Sequence, residues 1–446
     1  MLLCACLRDS QQMSMDTPHC KSNGCNVTVT VIRILKVFVN MSLVVMKFGG
    51  TSVADLECIR NVASRIEEER ASGNDLVVAV SAMAGTTNNL VEYASGFARI
   101  PDGPEYDTVI SAGEQITSGL LALALQQRGI PARSWLAWQI PIETDEAHTK
   151  ARISNIDSSK LEACLANGQV PVVAGFQGLS PDGRVTTLGR GGSDTSAVAL
   201  AAALGAVRCD IFTDVEGVYT SDPRIVSQAR KLEKITYEEM LEMASLGAKV
   251  LQTRSVELAM NQSVRLQVRS SFKSLPGTMV VNEDEILEKQ VVSGIAYSRD
   301  EAKITLVDVR DRPGVAAAIF GPLAKANVNV DMIVQSTAAN GKSTDITFTV
   351  AKNDFERALE VINSSDEKLQ FGDLLTDQTL VKISVIGVGM RSHAGVARKM
   401  FETLAEKGIN VHVISTSEIK ISVLIAEEYT ELALRALHTA YDLEAG

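Results

Sequence analysis

From residue 42 onward, short apolar runs alternate with stretches of helical periodicity. LVVMKF (43–48), DLVVAVSAM (75–83), VPVVAGFQG (170–178) and CDIFTDVEGVY (209–219) are brief, rich in β-branched residues and bounded by Gly, Pro or Asp. Continuous apolar runs of that length predict parallel strands buried on both faces. Between them lie DLECIRNVASRIEEER, SAGEQITSGLLALALQQRG and SDTSAVALAAALGA. Their apolar residues recur at three- and four-residue spacing behind an Asp or Ser, which predicts helices with a capping residue at each start. The product is an α/β domain over 42–292, an open and mainly parallel sheet between helix layers.

A different rhythm begins near residue 300. AKITLVDVRDRPGVAAAIFGPLAKANVNVDMIVQS (302–336) and VKISVIGVGMRSHAGVARKMFETLAEKGINVHVIST (381–416) superpose at an offset of about 80 residues. Gly314 falls on Gly395, Phe320 on Phe401, Asn329 on Asn410 and Ile333 on Ile414. Each copy reads strand, turn, helix, strand, strand, helix, the order of a ferredoxin-like β-α-β-β-α unit. Boundaries of 300–376 and 379–446 follow for the two units.

Composition narrows the function classes. A net charge of −11 over 446 residues argues against broad affinity for nucleic acid or anionic membrane, because phosphate-backbone binding needs a concentrated basic face. The most apolar early stretch, 27–46, is interrupted by Arg33, Lys36 and Asn40, so no segment reads as membrane-spanning. MLLCACL lacks the basic flank of a secretion signal, and a cytoplasmic address is expected. Cys4, Cys6, Cys20 and Cys25 cluster near His19, yet their spacing matches no common zinc pattern. Residues 1–41 read as a disordered, non-conforming leader, with the functional start at Met41. Cys58, Cys164 and Cys209 stand singly in apolar surroundings and are expected to be reduced thiols.

Three loops carry candidate chemistry. KFGGTS (47–52) places a lysine and two glycines between a buried strand and a helix. Gly49 and Gly50 let backbone approach an anion, Thr51 or Ser52 can cap the following helix, and Lys47 adds a point charge. A tight turn with a surface lysine is the plain alternative. TTLGRGGSDTSA (186–197) repeats the device with Arg190, Ser193 and Asp194, and TDVEGVYTSDPR (213–224) ends a strand in an acidic turn. Three such loops at successive strand ends suggest one shared cleft, where ligands of open α/β sheets collect.

In this order KFGGTS, SAGE, TTLGRGGSDTSA, TDVEGVYTSDPR and GAKVLQTRSVELA resemble the signatures of the aspartate kinases. The repeats after residue 300 resemble the paired ACT regulatory domains of that family. The resemblance spans 42–446; residues 1–40 have no counterpart, and Glu216 stands where the family more often has Asp. It implies the amino acid kinase fold and transfer of the γ-phosphoryl group of ATP, accompanied by Mg2+, to the β-carboxylate of aspartate.

By that resemblance Lys47, Arg190 and Asp194 are catalytic. Lys47, Phe48, Gly49, Gly50, Thr213, Asp214, Tyr219, Arg224 and Lys249 meet the nucleotide, with core packing the alternative for Tyr219. Glu114 pairs with the α-amino group of aspartate and Arg190 grips its α-carboxylate, supported by Thr87, Gly191, Gly192 and Ser193. A plain helix N-terminal charge is the alternative for Glu114. No direct metal ligand is assigned. The nucleophile is already ionised, at a reference pKa of about 3.9, so no general base is needed. Lysine or threonine, or both, are expected as effectors at the ACT pair, near Asp311, Gly314, Asn329 and Gln335 and, in the second unit, Ser392, Asn410 and Thr416. The family buries effectors between subunits, so a homodimer or higher oligomer is implied. A glutamate or acetylglutamate kinase, or a silent amino-acid sensor, remain as rivals at this point.

Overall fold

The computed structural model describes residues 42–98, 101–246, 250–286, 290–337, 343–364 and 370–444. The leader with its four cysteines and His19, and the candidate Lys249, lie outside them.

The chain runs from β1 (Leu43–Phe48) through a 3-10 turn at Gly50–Val53 into α1 (Leu56–Ala71). β2 (Asp75–Val80), α2 (Thr86–Ser95), α3 (Gly103–Ile110), α4 (Ala112–Gln127) and β3 (Ala132–Trp135) follow. Next come β4 (Ile142–Thr144), β5 (Ile153–Ile156), α5 (Ser159–Ala166), β6 (Val170–Ala174), β7 (Gln177–Leu179) and β8 (Val185–Thr187). The first region ends with α6 (Gly192–Ala203), β9 (Arg208–Thr213), β10 (Lys234–Thr236), α7 (Tyr237–Ser245), α8 (Thr253–Asn261), β11 (Leu266–Ser270) and β12 (Thr278–Val281).

Eight of these strands form one sheet in the order β10-β12-β11-β9-β1-β2-β6-β3. Neighbours are parallel except β11 with β12. Val44, Met46 and Phe48 face one layer, against Ile59, Val62 and Ile66 of α1 and Leu121 and Leu125 of α4. Val45 faces the other, with Val198 and Leu200 of α6 and Met240 of α7. Burial on both faces is the physical reason β1 reads as an unbroken apolar run. A small sheet, β5-β4-β7-β8, carries the chain into the loop before α6.

The expected Asp or Ser cap is present at α1 but absent at α4 and α6. Asp55, not Thr51 or Ser52, caps α1, its carboxylate accepting from the Cys58 amide at 2.8 Å. Ser52 turns inward instead, its hydroxyl 2.5 Å from that of Ser271. At α4 and α6 the residues before the helix make no side-chain cap. Gly191 precedes α6 at φ +73°, a conformation glycine adopts without strain. Among the described residues one helical stretch, Gly103–Gln127, is long and apolar enough to cross a membrane by length and composition. Half of that window is buried, and its Leu121 and Leu125 pack under the sheet, as a core helix does. Cys58, Cys164 and Cys209 are free thiols, the latter two buried.

The remaining elements are β13 (Gly294–Arg310), α9 (Val315–Lys325), β14 (Val330–Thr337), β15 (Ser343–Val350), α10 (Phe355–Asn363), β16 (Asp373–Ile386), α11 (Val396–Glu406), β17 (Val413–Thr416), β18 (Lys420–Ala426) and α12 (Thr430–Ala440). They build one antiparallel sheet, β14-β15-β13-β16-β18-β17. β13 and β16 each serve both repeats: Lys303–Val307 pair with Asp377–Asp373, whereas Gly294–Ser298 pair with Ile386–Lys382. Strand pairing therefore runs across the 300 and 379 boundaries read from the sequence.

Several polar contacts join this sheet to the first region. Glu239 caps α7 with one oxygen, while its other accepts from the Val388 amide at 2.9 Å and from the Ser293 hydroxyl. Lys420 reaches Glu242 at 2.7 Å. His438 of α12, fully buried, places Nε2 2.9 Å from the Thr220 hydroxyl.

Candidate active site

The loops after β1 and β9 adjoin at the carboxyl ends of their strands, and the loop that leaves β8 reaches β1 through the first turn of α6. Lys47, next to last in β1 and buried, forms an ion pair with Asp194 in the first turn of α6. A Cβ on Gly50 would stand 3.0 Å from the Ala82 carbonyl, so the loops after β1 and β2 touch backbone to backbone. The Gly49 amide donates to the Phe212 carbonyl at 3.2 Å and is engaged within the fold. Phe48 stacks on Phe212 in the core, ring centroids 4.6 Å apart, which leaves only its backbone on the cleft side.

Glu114 enters the same cleft from the first turn of α4. Its Oε1 accepts from the Ala82 amide at 3.0 Å, while Oε2 is buried with no hydrogen-bond partner among the described residues. Burial pushes its pKa up to about 7, against the opposing pull of the Ala82 amide, its own amide and the Lys47 ammonium. A carboxylate left in that state lacks a cation. Thr87 lies half-buried in the first turn of α2, behind the left-handed Gly85. Neighbouring Gly113 has no room for a side chain, since a Cβ would come within 2.6 Å of the Ala82 Cβ.

The loop Gly189–Gly192 leads from β8 into α6. Arg190 is exposed and makes no hydrogen bond or ion pair among the described residues, so its guanidinium is available. Gly192 and Ser193 are buried behind it. Gln252 covers Gly191 so closely that an added Cβ would overlap its side chain. Arg254 donates to the carbonyls of Leu188, 2.8 Å, and Ala151, 2.7 Å. Burial lowers its pKa, and its partners are backbone carbonyls. Sequence reasoning passed over Gln252, Arg254 and the fully buried Asp107, which accepts from Thr187 eighty positions away. No local signal marks contacts of that reach.

The third loop is only partly as expected. Thr213 donates to Asp214 at 3.1 Å, and the Asp214 carboxylate is exposed at the end of β9. Tyr219 is half-buried, its pKa raised by burial and then by Glu216, which is itself paired with Lys273. Arg224 departs from the reading. Its guanidinium holds Asp222 at 3.0 and 2.7 Å, an i to i+2 contact, and its side chain is 85% exposed. Asp222 in turn accepts from the Tyr297 hydroxyl of β13 at 3.3 Å.

The candidate effector residues are all exposed in this single chain: Asp311, Gly314, Asn329, Gln335, Ser392, Asn410 and Thr416. Gly314 and Gly395 precede α9 and α11 at φ +91° and +101°, so the repeat is kept in backbone conformation too. Gln335 lies on β14 and Thr416 ends β17, the two strands at the ends of the sheet order, which pack together around Met332, Leu380, Val413 and Leu424. Asp331 on β14 was not singled out; it shares the buried Lys382 with Glu301, at 2.6 and 2.5 Å. A cavity of about 490 Å³ lies elsewhere, between Gln290–Val292, the start of α11 and Tyr441–Leu443. None of its lining belongs to the strand-end loops.

The amino acid kinase family model matches residues 42–270, and two ACT-domain models match 303–367 and 383–441. An aspartate kinase of Pseudomonas putida is 54% identical over 406 residues, covering 91% of this chain and 98% of its own. Among solved structures, E. coli aspartokinase III in complex with aspartate and ADP (R-state) superposes with a TM-score of 0.75 at 26% identity, over 89% of this chain and 99% of that one. The same enzyme with lysine and aspartate (T-state) gives 0.72 at 26% identity, again over 89% and 99%.

Proposed function

The chain belongs to the amino acid kinase family as an aspartate kinase carrying ACT domains, and from that premise we propose the reaction and its control as follows. ATP and L-aspartate give ADP and 4-phospho-L-aspartate, the committed step toward lysine, threonine, methionine and diaminopimelate. A β-carboxylate oxygen forms a bond to the γ-phosphorus, the bond from that phosphorus to the bridging oxygen breaks, and its electrons leave with ADP. No proton has to be removed from a carboxylate with a pKa of about 3.9. The protein's work is to hold two anions together and to neutralise charge in the transition state.

The observation that carries this reading is the set of charges converging at the strand ends. Lys47, held by Asp194, supplies the cation for the phosphoryl oxygens, and Gly50, packed on the Ala82 carbonyl, holds the loops after β1 and β2 close beside it. Glu114 Oε2, buried and unpartnered, takes the α-ammonium of aspartate. Arg190, without a hydrogen bond or ion pair among the described residues, takes the α-carboxylate in a bidentate grip, which its planar fork suits. Thr213, Asp214 and Tyr219 line the nucleotide side; Arg224 and Lys249 belong to the same reading, with Arg224 paired to Asp222 in the ligand-free chain. Mg2+, when bound with ATP, would offset the negative charge of the phosphates. The described residues hold no cluster of three or more His, Cys, Asp or Glu, so its partners would be phosphate and water, as this hard ion prefers, with Asp214 at the mouth.

Lysine or threonine, or both, would bind along the β14 and β17 edges and regulate the enzyme, within a homodimer or higher oligomer in the cytoplasm. The kinase region would span 42–292 and the ACT units 300–376 and 379–446. A coupled assay of ADP release with aspartate, glutamate and acetylglutamate in turn tests the reaction. Turnover on aspartate alone is expected; preference for either of the others would refute it.

A further inference from the structure

We infer that Asp107 is a positioning residue for aspartate: it fixes the spacing between the Glu114 helix and the Arg190 loop. The inference rests on the proposed roles of those two residues. Asp107 is fully buried in α3, seven residues before Glu114, and α3 runs directly into α4. Its carboxylate accepts from the Thr187 amide at 2.9 Å and the Thr187 hydroxyl at 2.6 Å. It also accepts from the Thr149 amide at 3.0 Å, and the Nδ1 of His148 lies 2.9 Å from Oδ2. One buried anion thus ties together three segments that are distant in sequence.

Both tethered segments lead to Arg190. Thr187 ends β8, three positions ahead of it. Thr149 sits at φ +69°, a left-handed conformation that a β-branched residue adopts only when its surroundings impose it. The imposed turn aims the Thr149 carbonyl at Gly189, where an added Cβ would be 3.0 Å away. The Ala151 amide then donates to the Thr187 carbonyl at 3.0 Å. The strained turn, the end of β8 and the glycine before Arg190 therefore form one surface whose anchor is Asp107. Releasing that anchor lets the Arg190 loop move relative to Glu114, and a misfit at one end of a substrate held at both ends weakens its binding. Among the described residues no hydrogen bond or ion pair joins the loop after β9 to Asp107, so ATP should not report the change.

The test uses the full chain with Asp107→Asn, Thr187→Val, Thr187→Ser and Arg190→Ala, with each substrate varied separately. Asp107→Asn is expected to raise the KM for aspartate at least tenfold and to leave that for ATP within twofold. Because Asp107→Asn removes a buried charge and could impair folding, Thr187→Val is the second arm. It should raise the aspartate KM in the same direction, while Thr187→Ser, which keeps the hydroxyl, restores it. Parallel changes in both KM values, or an aspartate KM within twofold of wild type in Asp107→Asn and Thr187→Val, would overturn the inference. If Arg190→Ala also leaves the aspartate KM unchanged, the underlying reading of Arg190 falls with it; if Arg190→Ala raises it, only the role of Asp107 is lost.

Discussion

Replacing Glu114 by glutamine should make the ligand-free enzyme more stable above neutral pH and poorer at using aspartate. Glu114 is 4% exposed, and one of its two oxygens has a partner. Burial raises its pKa from an ordinary 4.5 to about 7. Between those values the unfolded chain has lost the Glu114 proton and the folded chain still holds it. Folding then takes up a proton, and stability falls as pH rises through that window. At about 1.4 kcal/mol per unit, the penalty above pH 7 is of the order of 3 kcal/mol. Glutamine keeps an acceptor for the Ala82 amide and removes the charge. Against this stands the favourable placement of a negative charge in the first helical turn, worth about 0.3–1 kcal/mol, so the burial penalty wins.

Urea denaturation of wild type and Glu114→Gln without ligand, from pH 5.5 to 8.5, measures the difference directly. The variant's advantage should grow as pH rises and level off above pH 7. Kinetics should move the other way: loss of one partner of a buried charge pair costs about 2–5 kcal/mol, so kcat/KM for aspartate should fall about thirtyfold or more. In wild type the same parameter should decline below about pH 7, where protonated Glu114 no longer attracts the ammonium, and the variant should lack that decline. A stability difference that does not vary with pH would refute the argument that Glu114 is held protonated. Unchanged aspartate kinetics would refute its role in the site.

Lys47→Ala should lower kcat by about 10²–10³, the usual loss on removing one preorganised charge stabiliser. It should also destabilise the fold by about 3–5 kcal/mol, because Asp194 is left buried without its partner. Adding Asp194→Asn should recover stability measured by denaturation but none of the turnover; recovery of turnover would contradict the role of Lys47. Gln335→Ala should raise the concentration of lysine or threonine needed for inhibition and leave uninhibited turnover unchanged, whereas a wild type indifferent to both at millimolar levels would remove the regulatory reading. His438→Phe deprives the Thr220 hydroxyl of a partner beside Tyr219 and should raise the KM for ATP and weaken inhibition together. An ATP KM and an inhibition curve both identical to wild type would show that this contact couples nothing.

What the sequence made legible was local. A buried strand followed by Lys-Phe-Gly-Gly-Thr-Ser has to turn sharply at its end, and the structure turns it there, with Lys47 beside Asp194. The period of two in β1 also carried information that the motif obscured. Val45 faces the α6 layer and Phe48 the opposite one, so a nucleotide role for the Phe48 ring conflicts with the alternation itself. Arg224 was likewise decided nearby: an aspartate two positions earlier competes for a guanidinium, and here it holds it. Asp107 and Arg254 were out of reach, because their partners are joined to them only through the fold.

The repeat marks two ACT units but not how their strands pair. Alignment of Gly314 with Gly395 and Asn329 with Asn410 reflects two copies of one local pattern, and a local pattern suggests two autonomous units. Pairing between strands is not local. The first residues of β13 need the end of β16 as their partner, and the first residues of β16 need the middle of β13. Neither repeat completes its sheet alone, so a change at the β14 or β17 edge acts on a continuous body. That body reaches the kinase region where β13 begins: Ser293, adjoining Gly294, donates to Glu239, and so does the amide of Val388, just past the end of β16. Both long strands thus end on one buried carboxylate of α7. A signal carried from the proposed effector edge through these strands can reach α7 there, and β13 also meets the loop beside Tyr219 through the Ile295 amide and the Tyr297 hydroxyl, while His438 and Thr220 offer a further route from α12.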